Sequence, residues 1–452
     1  MTLDLIYPEY LQKLFTNREK ELKLLDFIKE ELKEKKQIRF SFFGLRRIGK
    51  SLILKEFLKR SQKDKKIKVA YLNFEEFTNN PEDFSFNYVA RICFWLSESN
   101  NLEDYLVPEK LLTKVPEEIK EEIVFLISQL NQEKINRTTL LNFIFSFPFL
   151  VAEKLNIKII LLLDEFQKIL NLERFRDCEN ILDLFRSKIE AKNVSYVIAG
   201  SAVSIMHDLI SKSKSPLFQQ FKEESIEYFD KISTRKLISK IIKTEIEVKD
   251  FIYFLVNGHP FYIVSIASRM KILNKLLNLK INKELAKIAF IIEALSKKGD
   301  IYKHCEYNYD ISLKVARFGQ SLKSILKILT KEEGLNQSQL ARKLKITQGA
   351  VRTYLNSLIR VDFLDEKEGK YFFRDKVLSY WLSYRELGIE IDEFPKEKIL
   401  ERFVKQLEEK YLQVSTELGK TKEYEYKVKL EKKFKIKLEN YNKDNIEFDL
   451  VG

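Results

Sequence analysis

Gly44-Leu45-Arg46-Arg47-Ile48-Gly49-Lys50-Ser51 matches the pattern G-x-x-x-x-G-K-S at every position, and both of its flanks suit it. Before it, Gln37-Ile38-Arg39-Phe40-Ser41-Phe42-Phe43 is an apolar, aromatic-rich run of strand length. After it, Leu52, Ile53, Phe57 and Leu58 recur at helical spacing, with Lys55, Glu56, Lys59 and Arg60 between them. A strand, a glycine-bounded loop and a helix together make the local geometry that holds phosphate. The glycines let the backbone curl so that successive N–H groups face inward, and the helix N-terminus adds its positive dipole. Lys50 reaches the β- and γ-phosphates as a point charge, and the Ser51 hydroxyl ligates Mg²⁺. The stretch predicts a nucleotide-binding loop, with Gly44, Arg46, Arg47, Ile48, Gly49, Lys50, Ser51 and Leu52 around the phosphates.

Such a loop needs an acidic counterpart, and the chain supplies one. Ile157 to Leu163 is almost continuously apolar, the pattern of a strand buried on both faces, and it runs into Asp164-Glu165. Ligands bind at the C-terminal ends of strands in open α/β sheets. Asp164 is therefore the expected outer ligand of Mg²⁺, and Glu165 the base or orienter of an attacking water. A further strand and a helical section separate this pair from the loop, so the sheet belongs to the class with an extra strand inserted between them. Val194 to Ala199 is another buried strand, ending in Gly200-Ser201. Ser201 there either senses the terminal phosphate and positions water or is simply a strand-to-helix turn. Ile67 to Phe74 and Ser225 to Phe229 complete a five-stranded count.

The totals agree with a soluble enzyme or switch. The chain has 452 residues, enough for about three domains, and a 45% hydrophobic content with 34 Phe and 20 Tyr is ample for packed cores. A net charge of +13 makes an acidic macromolecule, nucleic acid first, a natural partner. Cys93, Cys178 and Cys305 are far apart, which argues against a disulfide framework and for the reducing cytoplasm. The longest charge-free run, Thr138 to Ala152, is too short to span a bilayer and is expected to be a buried helix.

Taken in order, Thr16-Asn17-Arg18-Glu19 has the capping-box spacing for a helix carrying Leu22, Leu25, Ile28 and Leu32. Glu75 to Asn156 is expected to be helical with breaks near Pro108 and Pro148. A helix is expected from Leu172 to Ala191, and a wholly helical lid from Ser233 to Ser296. In that lid, Asn257-Gly258-His259-Pro260 is helix-end punctuation. Lys297 to Asp310 has the composition of a linker.

Beyond it, three amphipathic helices and the hairpin around Lys367-Glu368-Gly369-Lys370 spell a winged helix-turn-helix. Its third helix presents Thr347, Gln348, Arg352, Thr353 and Asn356, short polar and basic groups suited to base edges and phosphates. Asp365, Glu366 and Glu368 crowd the wing, and such modules also bind proteins. In the tail, period-two patterns predict strands over Tyr424 to Leu430 and Phe434 to Leu438, and a last one over Ile446 to Val451.

The segment Phe15 to Leu22, the Gly44–Ser51 loop, Leu161-Leu162-Leu163-Asp164-Glu165-Phe166-Gln167, Ile198-Ala199-Gly200-Ser201 and Gly258-His259-Pro260-Phe261 together resemble the archaeal ATPase family. That family sits in the STAND group of AAA+-related P-loop NTPases, and the resemblance runs from about residue 10 to 390, winged helix included. It implies that Phe15, Asn17, Arg18 and Pro260 frame the adenine and that Ser201 is the first sensor. It also implies a switch that rearranges domains with nucleotide state. Where relatives carry an arginine, this chain has Gln220, which puts fast hydrolysis in question. Some relatives end in a nuclease-like domain. Glu401 and Asp449 fall where its acidic ligands would be, but the strand that would follow is missing, and a small packing domain is the other reading.

The expectation is thus an α/β protein: a five-stranded P-loop NTPase core over residues 1–232, a helical lid and linker over 233–310, a winged helix over 311–392 and a small α+β tail over 393–452. Its function would be that of an ATP-binding, Mg²⁺-dependent ATPase switch that contacts double-stranded DNA, with Lys50, Glu165 and Ser201 catalytic and Ser51 and Asp164 on the metal. The alternative is a weakly hydrolytic, nucleotide-bound regulatory scaffold that uses the winged helix on a protein partner; a homo-oligomer is the other partner expectation. A third reading, an origin-recognition-like initiator, shares the order of domains but lacks an evident lid arginine motif.

Overall fold

The computed structural model of the chain describes residues 2–97, 99–190, 192–315, 319–412, 439–443 and 446–451. Five strands form one parallel sheet: β1 (Phe40–Phe43), β2 (Ile67–Asn73), β3 (Lys158–Asp164), β4 (Val194–Gly200) and β5 (Lys222–Ser225). They lie side by side in the order β2-β3-β4-β1-β5. The strand inserted between β1 and β3 is β4; β2, which intervenes in sequence, lies at the far edge. On β3, Ile159, Leu161 and Leu163 face the helices Pro81–Leu96 and Arg137–Lys154, while Ile160 and Leu162 face the helix Lys50–Ser61. Burial on both faces is why the run is apolar at successive positions. Each such side chain contributes about 1.5–3 kcal/mol.

Several local readings of the sequence are corrected. β5 is the polar stretch Lys222–Ser225, not Ser225 to Phe229. The apolar residues that follow it are buried elsewhere: Ile226 behind the phosphate loop and Phe229 under the lid. Hydrophobicity there signalled burial rather than sheet pairing. The expected helix from Leu172 to Ala191 is a 3₁₀ turn, Phe166–Leu172, and a short helix, Ile181–Arg186, because Asp177 takes a positive φ of 65° between them. Pro148 does not break the helix Arg137–Lys154. Its surroundings, Phe147, Val151 and Ala152, are fully buried, and that packing offsets the lost hydrogen bond. Thr16 is not a helix cap, because Asn17 and Arg18 both have positive φ and the helix Glu19–Lys33 starts from Arg18.

Lys297 to Asp310 is not a linker either. Most of it forms the helix Asp300–Val315, where Ile301, Tyr302, Cys305 and Tyr309 make an apolar stripe against Trp381. One continuous core runs from Phe229 through the lid helices into the winged helix and on to Leu407. In the winged helix, β6 (Leu335–Asn336), β7 (Leu364–Lys367) and β8 (Lys370–Phe373) pair in the order β6-β8-β7 beside three helices ending with Gln348–Arg360. Asn336 and Gln339 form a reciprocal capping box at the start of the helix Gln337–Leu344. In the tail, β9 (Glu439–Lys443) and β10 (Ile446–Val451) form an antiparallel pair. The strands expected from Tyr424 to Leu438 lie outside the described residues. No helix among the described residues is long and apolar enough to cross a membrane.

Gly258 holds lid and core together. Its φ is +77°, and a Cβ there would lie 2.0 Å from the Phe229 carbonyl oxygen. The Phe229 N–H donates to the Gly258 carbonyl at 2.9 Å, so neither backbone can retreat. Gly258→Ala is expected to lower unfolding free energy in urea by about 2 kcal/mol or more. Gly349→Ala, in a helix with nothing within 4 Å of the new methyl, is expected to be neutral or stabilising. Equal midpoints for the two variants would contradict this account.

Candidate functional site

Because the sheet is parallel, the C-terminal ends of β1, β3 and β4 open on one edge. The register levels Phe43 with Gly200, and Leu163 with Ile198. Gly44, Asp164 and Ser201 are thereby brought to the same edge, the place where an open α/β sheet binds ligand. The phosphate loop leaves β1 there, with Arg47 at a φ of 61° and Gly49 at 108°, and enters the helix at Lys50.

Lys50 is 4% exposed. Its ammonium donates to the carbonyls of Gly44 at 2.7 Å and Leu45 at 2.9 Å. Burial pushes it down to about 8, against the nearby Glu165 and Asp164 carboxylates, which favour the charged form. A buried cation held only by neutral carbonyls is a site for an anion. Asp164 is fully enclosed. It accepts from the Tyr71 hydroxyl at 2.7 Å and from the Ser51 hydroxyl, and burial, then the neighbouring Glu165 charge, raise it above the usual carboxylate range. A hydroxyl and a carboxylate already in contact fit a Mg²⁺ that keeps most of its waters and takes few protein ligands.

Glu165 sits at a φ of 50°, which turns its side chain off the end of β3. Its Oε2 accepts from the Ser201 hydroxyl at 2.8 Å and from Gln167 Nε2 at 2.6 Å. Ser201 thus holds the carboxylate of Glu165. Sequence reasoning missed Tyr71 and Gln167. Tyr71 is one aromatic among many in a strand, and nothing in its spacing separates it from core. Gln167 stands in the quoted Asp-Glu-Phe-Gln run, and its polarity two residues after Glu165 was the available signal.

Two cavities flank the loop. The larger, about 820 Å³, lies between Gly44, Ile48, Tyr228 and Asn257 on one side and Lys370 and Arg374 of the winged helix on the other. The smaller, about 280 Å³, meets Arg46, Gln167, Ser201, His259 and His304. The winged helix is docked across both. The Ser204 hydroxyl lies 2.9 Å from the Ile359 carbonyl and 2.8 Å from Asp362 Oδ1, and its N–H donates to the same carboxylate at 3.1 Å. Arg374 pairs with Asp362 and Asp365. Tyr262 of the lid donates to Asp375 at 2.5 Å.

Phe15, Asn17, Arg18 and Pro260 line neither cavity. Arg18 is buried behind the loop, donating to the carbonyls of Ile48 at 3.0 Å and Glu227 at 2.9 Å, and Asn17 donates to the Ser233 hydroxyl. Pro260 starts the lid helix, next to a buried His259. Arg46 and Arg47 lie over the rings of Tyr307 and Phe261, at 4.8 Å and 4.2 Å, tying the loop to the helices that carry the winged helix.

Gln220 is at the opposite end of the sheet. It is bound by Arg39 where β5 begins, with Lys222 level with Phe40. Position 220 is therefore at the end of the sheet away from the Gly44–Ser51 loop. Thr347, Gln348, Arg352, Thr353 and Asn356 are all exposed on the winged helix. Glu401 is exposed, and no group of three His, Cys, Asp or Glu able to hold a metal occurs among the described residues.

Comparison with solved structures finds the same fold in a Walker-type ATPase of Pyrococcus abyssi, at 18% identity and a TM-score of 0.56, covering 81% of this chain and 96% of that one. The ORC2 protein of Aeropyrum pernix, solved with ADPNP and ADP, matches at 13% identity and a TM-score of 0.50, covering 82% and 95%. Comparison with curated proteins found no match. Residues 320–363 match a winged helix-turn-helix DNA-binding family. Residues 15–266, more than half of the chain, match the family described as an ATPase domain predominantly from Archaea, and with the loop, Asp164-Glu165 and β4 arranged as above the chain belongs to that family.

Proposed function

We propose that this protein is a Mg²⁺-dependent ATPase switch of the STAND type in which the nucleotide state controls a DNA-contacting winged helix. The observation that carries it is the docking of the winged helix across the nucleotide crevice, through Ser204 and Asp362, while Thr347, Gln348, Arg352, Thr353 and Asn356 stay in solvent. Nucleotide in the crevice and nucleic acid on the helix would then act on one rigid body. The A. pernix neighbour's ADPNP and ADP support adenine nucleotide as ligand.

In this reading the base end occupies the larger cavity, with Arg18 behind it through its bond to the Ile48 carbonyl, and the terminal phosphate lies toward Ser201. Lys50 turns from the Gly44 and Leu45 carbonyls to the β- and γ-phosphate oxygens. Ser51 and Asp164 would hold Mg²⁺, which would supply neutralisation of phosphate charge. Glu165, held by Ser201 and Gln167, takes the proton of the attacking water. The test is ATP turnover with and without duplex DNA, using Glu165→Gln as the blank. DNA-stimulated turnover supports the switch. Tight ATP binding with negligible turnover, indifferent to DNA, favours a scaffold with a protein partner, a reading that the exposed Glu366 and Glu368 on the wing also support.

Arg352→Ala is expected to weaken duplex binding roughly tenfold at fixed salt and to leave ATP affinity unchanged. Fluorescence anisotropy with labelled duplex reads it. Unchanged DNA affinity would remove this helix from the DNA contact.

A further inference from the structure

The smaller cavity is lined by polar and charged side chains, Arg46, Gln167, Lys168, His259, His304 and Arg360 among them, at the crevice end where Ser201 also stands. Burial pushes His259 down to about 3 and His304 to about 2, so both rings are neutral and the cavity's positive charge comes from elsewhere. Three cations line it, Arg46, Lys168 and Arg360, beside the carboxylates of Asp362 and Asp375, which are engaged by Ser204 and Arg374 and by Tyr262. Arg46 and Lys168 both face the Glu75 carboxylate, at 3.4 Å and 3.6 Å. Arg360 has no acidic partner among the described residues.

Arg360 is also the best placed of the three to carry information. It is the last residue of the recognition helix Gln348–Arg360. The backbone is pinned on both sides of it, by the Ile359 carbonyl and the Asp362 carboxylate at Ser204. Ser204 is three residues beyond Ser201, whose hydroxyl holds Glu165. Arg360, carried by the winged helix, thus lines the same cavity as Ser201, the residue that holds Glu165.

We propose that Arg360 is the residue through which the winged helix reads the γ-phosphate, binding the triphosphate and not the diphosphate. This rests on the ATP reading above. A guanidinium makes paired, charge-assisted hydrogen bonds to phosphate oxygens. In ATP those bonds couple the terminal phosphate directly to the recognition helix; in ADP that phosphate is absent, and Ser204 holds the helix end without it. The chain thereby supplies in cis an arginine that position 220 does not.

The test uses the full chain and two probes, ADP and the non-hydrolysable β,γ-imido analogue of ATP, so it needs no turnover. Arg360→Ala is expected to weaken the analogue roughly ten- to hundredfold while ADP affinity stays within about twofold, with Arg360→Lys keeping part of the preference. Arg342→Ala, which removes an exposed charge from the same domain, is expected to change neither. Equal weakening of both nucleotides, or of neither, with wild type binding both, overturns the role of Arg360 alone. Wild type that binds neither nucleotide overturns this proposal together with the ATP reading. Arg360 is exposed, so a matching thermal melt for the Arg360→Ala variant confirms that a lost preference is not unfolding.

Discussion

Glu165→Gln stops ATP turnover, by roughly a hundredfold or more, and leaves ATP bound. The substitution keeps shape and nearly keeps contacts: the amide oxygen still accepts from Ser201 and Gln167, which now reach Glu165 Oε2 at 2.8 Å and 2.6 Å. What it loses is the carboxylate that takes a proton from water. Lys50 and Ser51, the groups proposed for phosphate and Mg²⁺, stand on another strand's loop and are not disturbed. Single-turnover hydrolysis and equilibrium ATP binding separate the two effects. Binding lost with turnover would mean that Glu165 shapes the pocket. Turnover retained would move the base elsewhere and leave the 50° φ at this residue without a purpose.

The parts of this protein legible in its sequence are those where one physical demand dictates residue type. The loop from Gly44 to Ser51 is such a case, because curled backbone, dipole and cation must coincide. So is the run from Ile159 to Leu163, which two buried faces make apolar. The winged helix was legible from the periodicity of its three helices and from the hairpin at Lys367 to Lys370. Illegible were the places where residues far apart in sequence share a job. Tyr71 binds Asp164 across the β2–β3 pair, where Asn73 is level with Asp164. Ser204 meets Asp362 across 158 residues. Neither partner carries a local signal, since each is an ordinary residue until the other arrives. The polar stretch at Lys297 hid a helix for a related reason. Its apolar stripe, Ile301, Cys305 and Tyr309, has a partner only once Trp381 is folded against it. Phe15 to Arg18 shows the reverse error: a capping pattern was present, but positive φ at Asn17 and Arg18 sends Arg18 to the carbonyls of Ile48 and Glu227 instead.

Lys50→Met weakens ATP by roughly a hundredfold or more, since it removes two charge-assisted contacts to phosphate and substitutes an apolar chain of similar length. The pH dependence tests the mechanism more sharply than the loss does. Without nucleotide, Lys50 is held down to about 8 by burial. Phosphate favours the ammonium, so its pKa in the complex is higher. Below about pH 8 the free protein is already protonated, and affinity is insensitive to pH on this account. Above it the free lysine is neutral, binding must take up a proton, and the ATP Kd rises about tenfold per pH unit until the pKa of the complex is reached. Titration calorimetry between about pH 7 and 9.5 reads both the Kd and the proton uptake. The Lys50→Met variant, weak throughout, is expected to show no slope. A wild-type Kd that stays flat across that range, or a slope that survives in Lys50→Met, would show that the buried ammonium does not set the affinity, and the hold of the Gly44 and Leu45 carbonyls on Lys50 would then be structural only.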